Sequence, residues 1–121
     1  MRNKFIFAIL ILPILASGHT HVKSSNPAKD SVVHSSPKVV EIQFSENLET
    51  AMSTIEVKNS KTKEIVSEKK EDSNSSQKEL KTNLKNLKNE KALYQVSWKA
   101  VSKDGHTMKG SYDFTFDPAK K

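Results

Sequence analysis

The chain has 121 residues, with 20 lysine and arginine residues against 14 aspartate and glutamate residues, a formal net charge of +6 and no cysteine. The absence of thiols excludes zinc-finger and iron–sulfur sites, so any metal site must use histidine, methionine or carboxylate ligands. Nearly all the basic residues are lysines scattered among acidic ones. Because a nucleic-acid surface is marked by arginine clusters or interleaved aromatic residues, this pattern excludes nucleic-acid binding as the main function.

The first 18 residues have the pattern of a secretory signal peptide. Two basic residues precede an apolar run from Phe5 to Leu15, and Ala16-Ser17-Gly18 supplies the small residues of a cleavage site. The apolar run is only about half the ~20 residues that a membrane-spanning helix needs. No cysteine is present to carry a lipid. We therefore predict a cleaved signal peptide over residues 1–18 and one exported domain over residues 19–121.

The rest of the sequence alternates apolar and polar residues with a period of two, which predicts β-strands. Val40, Ile42 and Phe44 should share one face of a strand, and Trp98 should share the apolar face of a later one. A single helical turn is possible over 48–53. Predicted strands cover residues 20–25, 38–45, 54–58, 64–68, 78–84, 93–101 and 111–117. About seven short strands with frequent turns predict an all-β fold, a small antiparallel β-sandwich or Greek-key barrel.

The predicted cleavage site places His19 at the mature N-terminus. A free α-amine beside an imidazole forms a bidentate chelator for a cation such as Cu(II), and no internal histidine can offer both groups. The prediction depends on the cut after Gly18, because cleavage after Ala16 or Thr20 would remove the amine from His19.

Asp104 and His106 form a second candidate for metal binding. In extended backbone, residues i and i+2 face the same way, so both side chains can point at one ion, and Gly105 between them permits an unusual φ. Alone, such a pair equally suits an ordinary turn. An exposed N-terminal histidine strengthens the metal interpretation.

His21 supports a competing site that would not need the fold. As the third residue of the mature chain, it could bind Cu(II) or Ni(II) together with the amine and two deprotonated amides. We favour the site of His19, Asp104 and His106, because the strands would preorganise its ligands. We expect His34 to be an exposed loop histidine.

Four segments of the chain together resemble the CopC family of periplasmic copper-binding proteins. Individually they are short, but they occur in the order that the family shows and extend over nearly the whole mature chain. They are residues 19–28 (HTHVKSSNPA), residues 40–48 with Phe44-Ser45-Glu46, residues 94–106 (YQVSWKAVSKDGH) and residues 110–114 (GSYDF).

The resemblance implies an Ig-like β-sandwich of seven strands that binds one Cu(II) ion per chain in the periplasm. Carried over by position, the ligands are His19, Asp104 and His106. In some members a glutamate at the position of Glu46 lies close to the metal, so Glu46 is a possible further contributor. His21 would then be a surface residue, a partner of a ligand or a weak auxiliary ligand. The implied function is non-enzymatic copper homeostasis or resistance, by sequestering copper or delivering it to a membrane transporter of the CopD type. We expect a monomer.

Two features depart from parts of the family. Some relatives carry a methionine-rich loop for Cu(I), whereas the mature chain has only Met52 and Met108, far apart in sequence. Some relatives are fused to a membrane domain, whereas this chain is expected to be the free-standing type. Two alternative functions remain: a copper-dependent oxidative enzyme with an N-terminal histidine brace, and an Ig-like interaction module without a specific metal role.

Overall fold

The computed structural model describes residues 21–69 and 75–119, which form two packed β-sheets. The strands are β1 (Val22–Asn26), β2 (Val32–Val33), β3 (Val39–Phe44), β4 (Thr54–Asn59), β5 (Glu79–Asn83), β6 (Ala92–Val101) and β7 (Thr107–Phe116). One sheet has the strand order β1-β3-β5 and the other β2-β7-β6-β4. The prediction of an all-β sandwich of about seven strands is confirmed. The predicted signal peptide over 1–18 lies outside the described residues.

The core lies between the two sheets and is formed by the apolar faces that the alternation predicted. Val40, Ile42 and Phe44 on β3 are at most 1% exposed. Tyr94 of β6 stacks on Phe114 of β7, with ring centroids 5.6 Å apart. Because side chains alternate between the two faces of a strand, the polar residues between these positions face solvent and the register is fixed by burial.

Two details of the prediction were wrong. The segment 64–68 is not a strand. Ile65 and Ser67 each form only one isolated bridge, to Lys58 and Leu84 respectively. Ser67 turns inward, where its hydroxyl accepts a hydrogen bond from the Val57 amide at 3.0 Å. The seventh strand is instead β2, which pairs in parallel with β7 and so departs from a wholly antiparallel sandwich.

Only one helical element occurs in the described ranges, a 3-10 turn over Thr50–Met52, as the sequence predicted for 48–53. No helix within residues 21–69 and 75–119 has the length and apolar character needed to cross a membrane.

Candidate metal site

Asp104 and His106 lie in the tight loop that joins β6 to β7. Two backbone bonds close the loop: Ser102 N–H donates to the His106 carbonyl at 2.9 Å, and Gly105 N–H donates to the Ser102 carbonyl at 3.0 Å. Gly105 has φ +92°, in a region that side chains with a Cβ rarely adopt. The loop therefore requires glycine here, as the sequence suggested, but its backbone is a turn and not the extended segment that we expected.

The turn nevertheless brings the two side chains together. Asp104 Oδ2 lies 3.1 Å from His106 Nδ1, and both side chains are more than half exposed. The reason is the sharp reversal at Gly105, not the two-residue periodicity of a strand. The loop thus presents a carboxylate and an imidazole side by side to solvent.

Ser102 is hydrogen-bonded to both residues of this pair. Its residue is only 1% exposed, and its hydroxyl donates a hydrogen bond to Asp104 Oδ1. The Ser102 hydroxyl oxygen also accepts a hydrogen bond from the His106 amide at 3.2 Å. The Ser102 hydrogen bond is the main reason that the pKa of the Asp104 carboxyl falls below its ordinary value. Sequence reasoning missed Ser102, and its only signal was a hydroxyl two residues before the aspartate.

The segment after β3, residues 45–48, connects this loop to the start of the described chain. On one side, Ser45 N–H donates to the His21 carbonyl at 2.9 Å. On the other side, Lys103 N–H donates to the Asn47 carbonyl at 3.2 Å, and Leu48 forms a bridge with Ser102. His21 and the Asp104–His106 loop are therefore attached to the same four-residue segment, one at each end.

The remaining predicted residues have different environments. Glu46 lies within the segment 45–48 and is partly buried. His34 is exposed, as expected, and its Nδ1 lies 3.0 Å from the Asp117 carbonyl, where it joins the end of β2 to the end of β7. His19 lies outside the described residues. Within the described ranges, no three histidine, aspartate or glutamate side chains already form a group that could hold a metal ion.

Fold and loop together define a class of protein: a small Ig-like β-sandwich with an imidazole–carboxylate pair in the loop between its two longest strands. The profile of the CopC domain matches residues 22–117. The chain belongs to the CopC family.

Two proteins of known sequence show how this chain relates to others. It is 32% identical over 123 residues to the copper transport protein CutJ of Bacillus subtilis (strain 168), a match that covers 98% of this chain but only 22% of CutJ. This chain thus spans about a fifth of that relative. It is 29% identical over 119 residues to the protein YobA of Escherichia coli (strain K12), covering 93% of this chain and 92% of YobA.

Two solved structures share the fold. CopC from Methylosinus trichosporium OB3b has a TM-score of 0.68 at 28% identity, covering 85% of this chain and 98% of that chain. PcoC, a methionine-rich copper resistance protein from Escherichia coli, also has a TM-score of 0.68, at 29% identity, covering 82% of this chain and 99% of that chain. The resemblance deduced from the sequence motifs is confirmed.

Proposed function

We propose that this protein is an exported copper-binding protein that holds one Cu(II) ion per chain for copper homeostasis or resistance. Its ligands are the amine and imidazole of His19, the carboxylate of Asp104 and the imidazole of His106. The observation that carries the proposal is the segment 45–48, which is bonded to His21 at one end and to the Asp104–His106 loop at the other.

The donor set suits the ion. Cu(II) favours a tetragonal arrangement of nitrogen and oxygen ligands, and an amine, two imidazoles and a carboxylate supply four of them. Asp104 and His106 are already neighbours, 3.1 Å apart. Half of the donor set is thus assembled before the metal arrives, which lowers the ordering cost of binding.

Chain length allows His19 to complete the site. It precedes His21 by two residues, a stretch that spans at most about 7 Å when extended. Because His21 is bonded to Ser45, we propose that the amine and ring of His19 bind beside the segment 45–48. Glu46 in that segment would be a further ligand or a hydrogen-bond partner of one.

The location and partners follow from the same interpretation. Residues 1–18 are a cleaved signal peptide, residues 19–121 form the domain, and the protein works in the periplasm. One structural neighbour is named CopC, the other is the copper resistance protein PcoC, and the relative CutJ is named a copper transport protein. We accordingly propose sequestration of copper or its delivery to a membrane transporter of the CopD type. Among the described residues, the exposed large apolar side chains lie on separate elements, and we propose a monomer.

The test is a Cu(II) titration of the chain beginning at His19, followed by electron paramagnetic resonance. Three changes should weaken the single tight equivalent: Asp104→Ala, His106→Ala, and retention of Gly18 as one extra N-terminal residue. His34→Ala is the matched control, because this exposed histidine is bonded elsewhere, to the Asp117 carbonyl. It should leave the titration unchanged.

Two results would contradict the proposal. Copper binding that is indifferent to His106→Ala but lost in His21→Ala would mean a terminal chelate independent of the fold. Copper-dependent oxidation of a polysaccharide or of a small reductant with peroxide would favour the enzyme alternative. A copper carrier with the proposed site should give neither of these two results.

A further inference from the structure

Ser45 contacts three different groups of His21. The His21 amide N–H donates to Ser45 Oγ at 3.1 Å, and the same hydroxyl lies 3.3 Å from His21 Nδ1. The Ser45 amide donates to the His21 carbonyl at 2.9 Å. One residue therefore restrains both the main chain and the ring of His21.

The two His21 nitrogens in this arrangement are the ones that a fold-independent terminal chelate would require. That chelate uses the α-amine, two deprotonated amides and the His21 imidazole. Only Nδ1 can close a six-membered ring with the metal and the His21 amide nitrogen, because Nε2 lies on the far side of the imidazole. The amide must also lose the hydrogen that it now donates to Ser45.

We propose that Ser45 determines which of two sites the metal occupies. Its hydroxyl accepts the hydrogen of the His21 amide and lies within hydrogen-bond distance of Nδ1. A metal that enters the terminal chelate must break both contacts, whereas the site of His19, Asp104 and His106 uses neither of these two His21 nitrogens. Ser45 is thus a specificity-determining residue, an inference that rests on the proposed function for the identity of the favoured site.

Ser45→Ala isolates the hydroxyl. The alanine keeps the backbone bond to the His21 carbonyl, so the pairing of β1 with β3 is retained. Both contacts are exposed, so each contributes near the low end of the usual range for a net hydrogen bond, and losing the two should raise the affinity of the terminal chelate about ten-fold. Ser45→Thr and Ser45→Val form a second matched pair of similar shape, of which only the threonine retains the hydroxyl.

Ni(II) is the first probe, because it readily forms square-planar chelates with deprotonated amides. In the chain beginning at His19, we expect Ser45→Ala and Ser45→Val to gain the absorption and circular dichroism bands of square-planar nickel at about ten-fold lower Ni(II) concentration than the wild type. Ser45→Thr should behave like the wild type. Adding His21→Ala to Ser45→Ala should abolish the bands.

Equal nickel titrations for wild type, Ser45→Ala and Ser45→Val would overturn the role of Ser45, as would bands that survive His21→Ala. The nickel experiment does not involve Asp104 or His106, so it tests Ser45 separately from the proposed function. Cu(II) resonance spectra supply the second readout. Wild-type copper should respond to His106→Ala, and a fraction of the copper in Ser45→Ala should not. Thermal unfolding of each variant reports that the sandwich is intact.

Discussion

The indole of Trp98 lies directly over Gly110, its partner across β6 and β7. A Cβ at position 110 would stand only 2.4 Å from Trp98 Cζ2. On another side, the indole meets Phe44 edge-on, with ring centroids 5.2 Å apart and an interplanar angle of 73°. The ring therefore has little room to yield, and Gly110 is required for close packing and not for its backbone freedom.

Gly110→Ala should accordingly lower the free energy of unfolding by about 1–3 kcal/mol, the usual cost of overpacking a core. The measurement is the urea midpoint, followed by Trp98 fluorescence. Ser111→Ala is the neighbouring control, because its side chain is exposed on the outer face and should change stability by less than about 0.5 kcal/mol. Equal midpoints for the two variants would show that the indole moves aside without cost.

Gly105→Ala should destabilise for a different reason. Nothing lies within 4 Å of a Cβ at this position, but φ is +92°. The strain of that backbone should cost about 1–2 kcal/mol or else rearrange the loop and weaken Cu(II) binding. Thermal unfolding and copper titration report the two effects. Gly105→Asn should be milder, since asparagine tolerates positive φ better; an asparagine variant as damaged as the alanine one would contradict this account.

The hydroxyl of Tyr112 gives a prediction for alkaline pH. Burial raises its pKa to about 12, against a smaller opposing effect of the Ser25 side chain. Within the described residues, the buried phenol oxygen has no hydrogen-bond partner of good geometry. In the unfolded chain the pKa is near 10.0, so the unfolded state loses its proton first as pH rises. The contribution of the raised Tyr112 pKa to the free energy of unfolding is therefore present in full below pH 10 and is lost as the pH rises toward 12.

Tyr112→Phe removes both the buried hydroxyl and its titration at alkaline pH. At pH 7 the free energy of unfolding should change by less than about 1 kcal/mol, because the hydroxyl that is lost had no good partner. Above pH 10, the variant should lose less stability than the wild type. Urea unfolding at several pH values measures the difference; parallel pH profiles for the two proteins would rule out Tyr112 as the titrating group.

Copper binding should weaken in acid because of nitrogen ligands, not Asp104. The Ser102 hydrogen bond holds the pKa of the Asp104 carboxyl below its ordinary value, so this proposed ligand stays ionised in mild acid. The amine and the imidazoles must lose protons before they bind, so the copper affinity should fall as the pH is lowered. Asp104→Asn should lower the affinity by about the same factor at every mildly acidic pH, which leaves the slope of log affinity against pH unchanged. A slope that becomes flatter with Asp104→Asn would assign the transition to the carboxyl.

The strands on the core face of the sandwich could be predicted from sequence because burial imposes a strict period of two. Val40, Ile42 and Phe44 are buried as predicted. The two-residue strand β2 could not be predicted, since Val32 and Val33 are too short a run to show any period. The segment 64–68 was wrongly predicted as a strand, because Ile65 and Ser67 each form only one isolated bridge and no continuous ladder.

The pairing of Asp104 with His106 could be predicted from the sequence, but the residues that support the pair could not. Asp104 and His106 are recognisable from their chemistry, and the structure brings them together. Ser45 and Ser102 are common residues whose roles depend on which backbone groups the fold brings to their hydroxyls. That information lies in long-range pairing between segments, which a local pattern does not contain.

Copper bound beside the segment 45–48 would also affect the stability of the fold. His21 is bonded to the end of one sheet, whereas the Asp104–His106 loop belongs to the other. An ion bound by both His19 and this loop would link the predicted mature N-terminus to residues more than 80 positions further along the chain. That is the topology of a long-range covalent cross-link, which lowers the entropy of the unfolded chain. In a sequence without cysteine, the bound copper ion would thus stabilise the fold in the way that a disulfide bond does in other proteins.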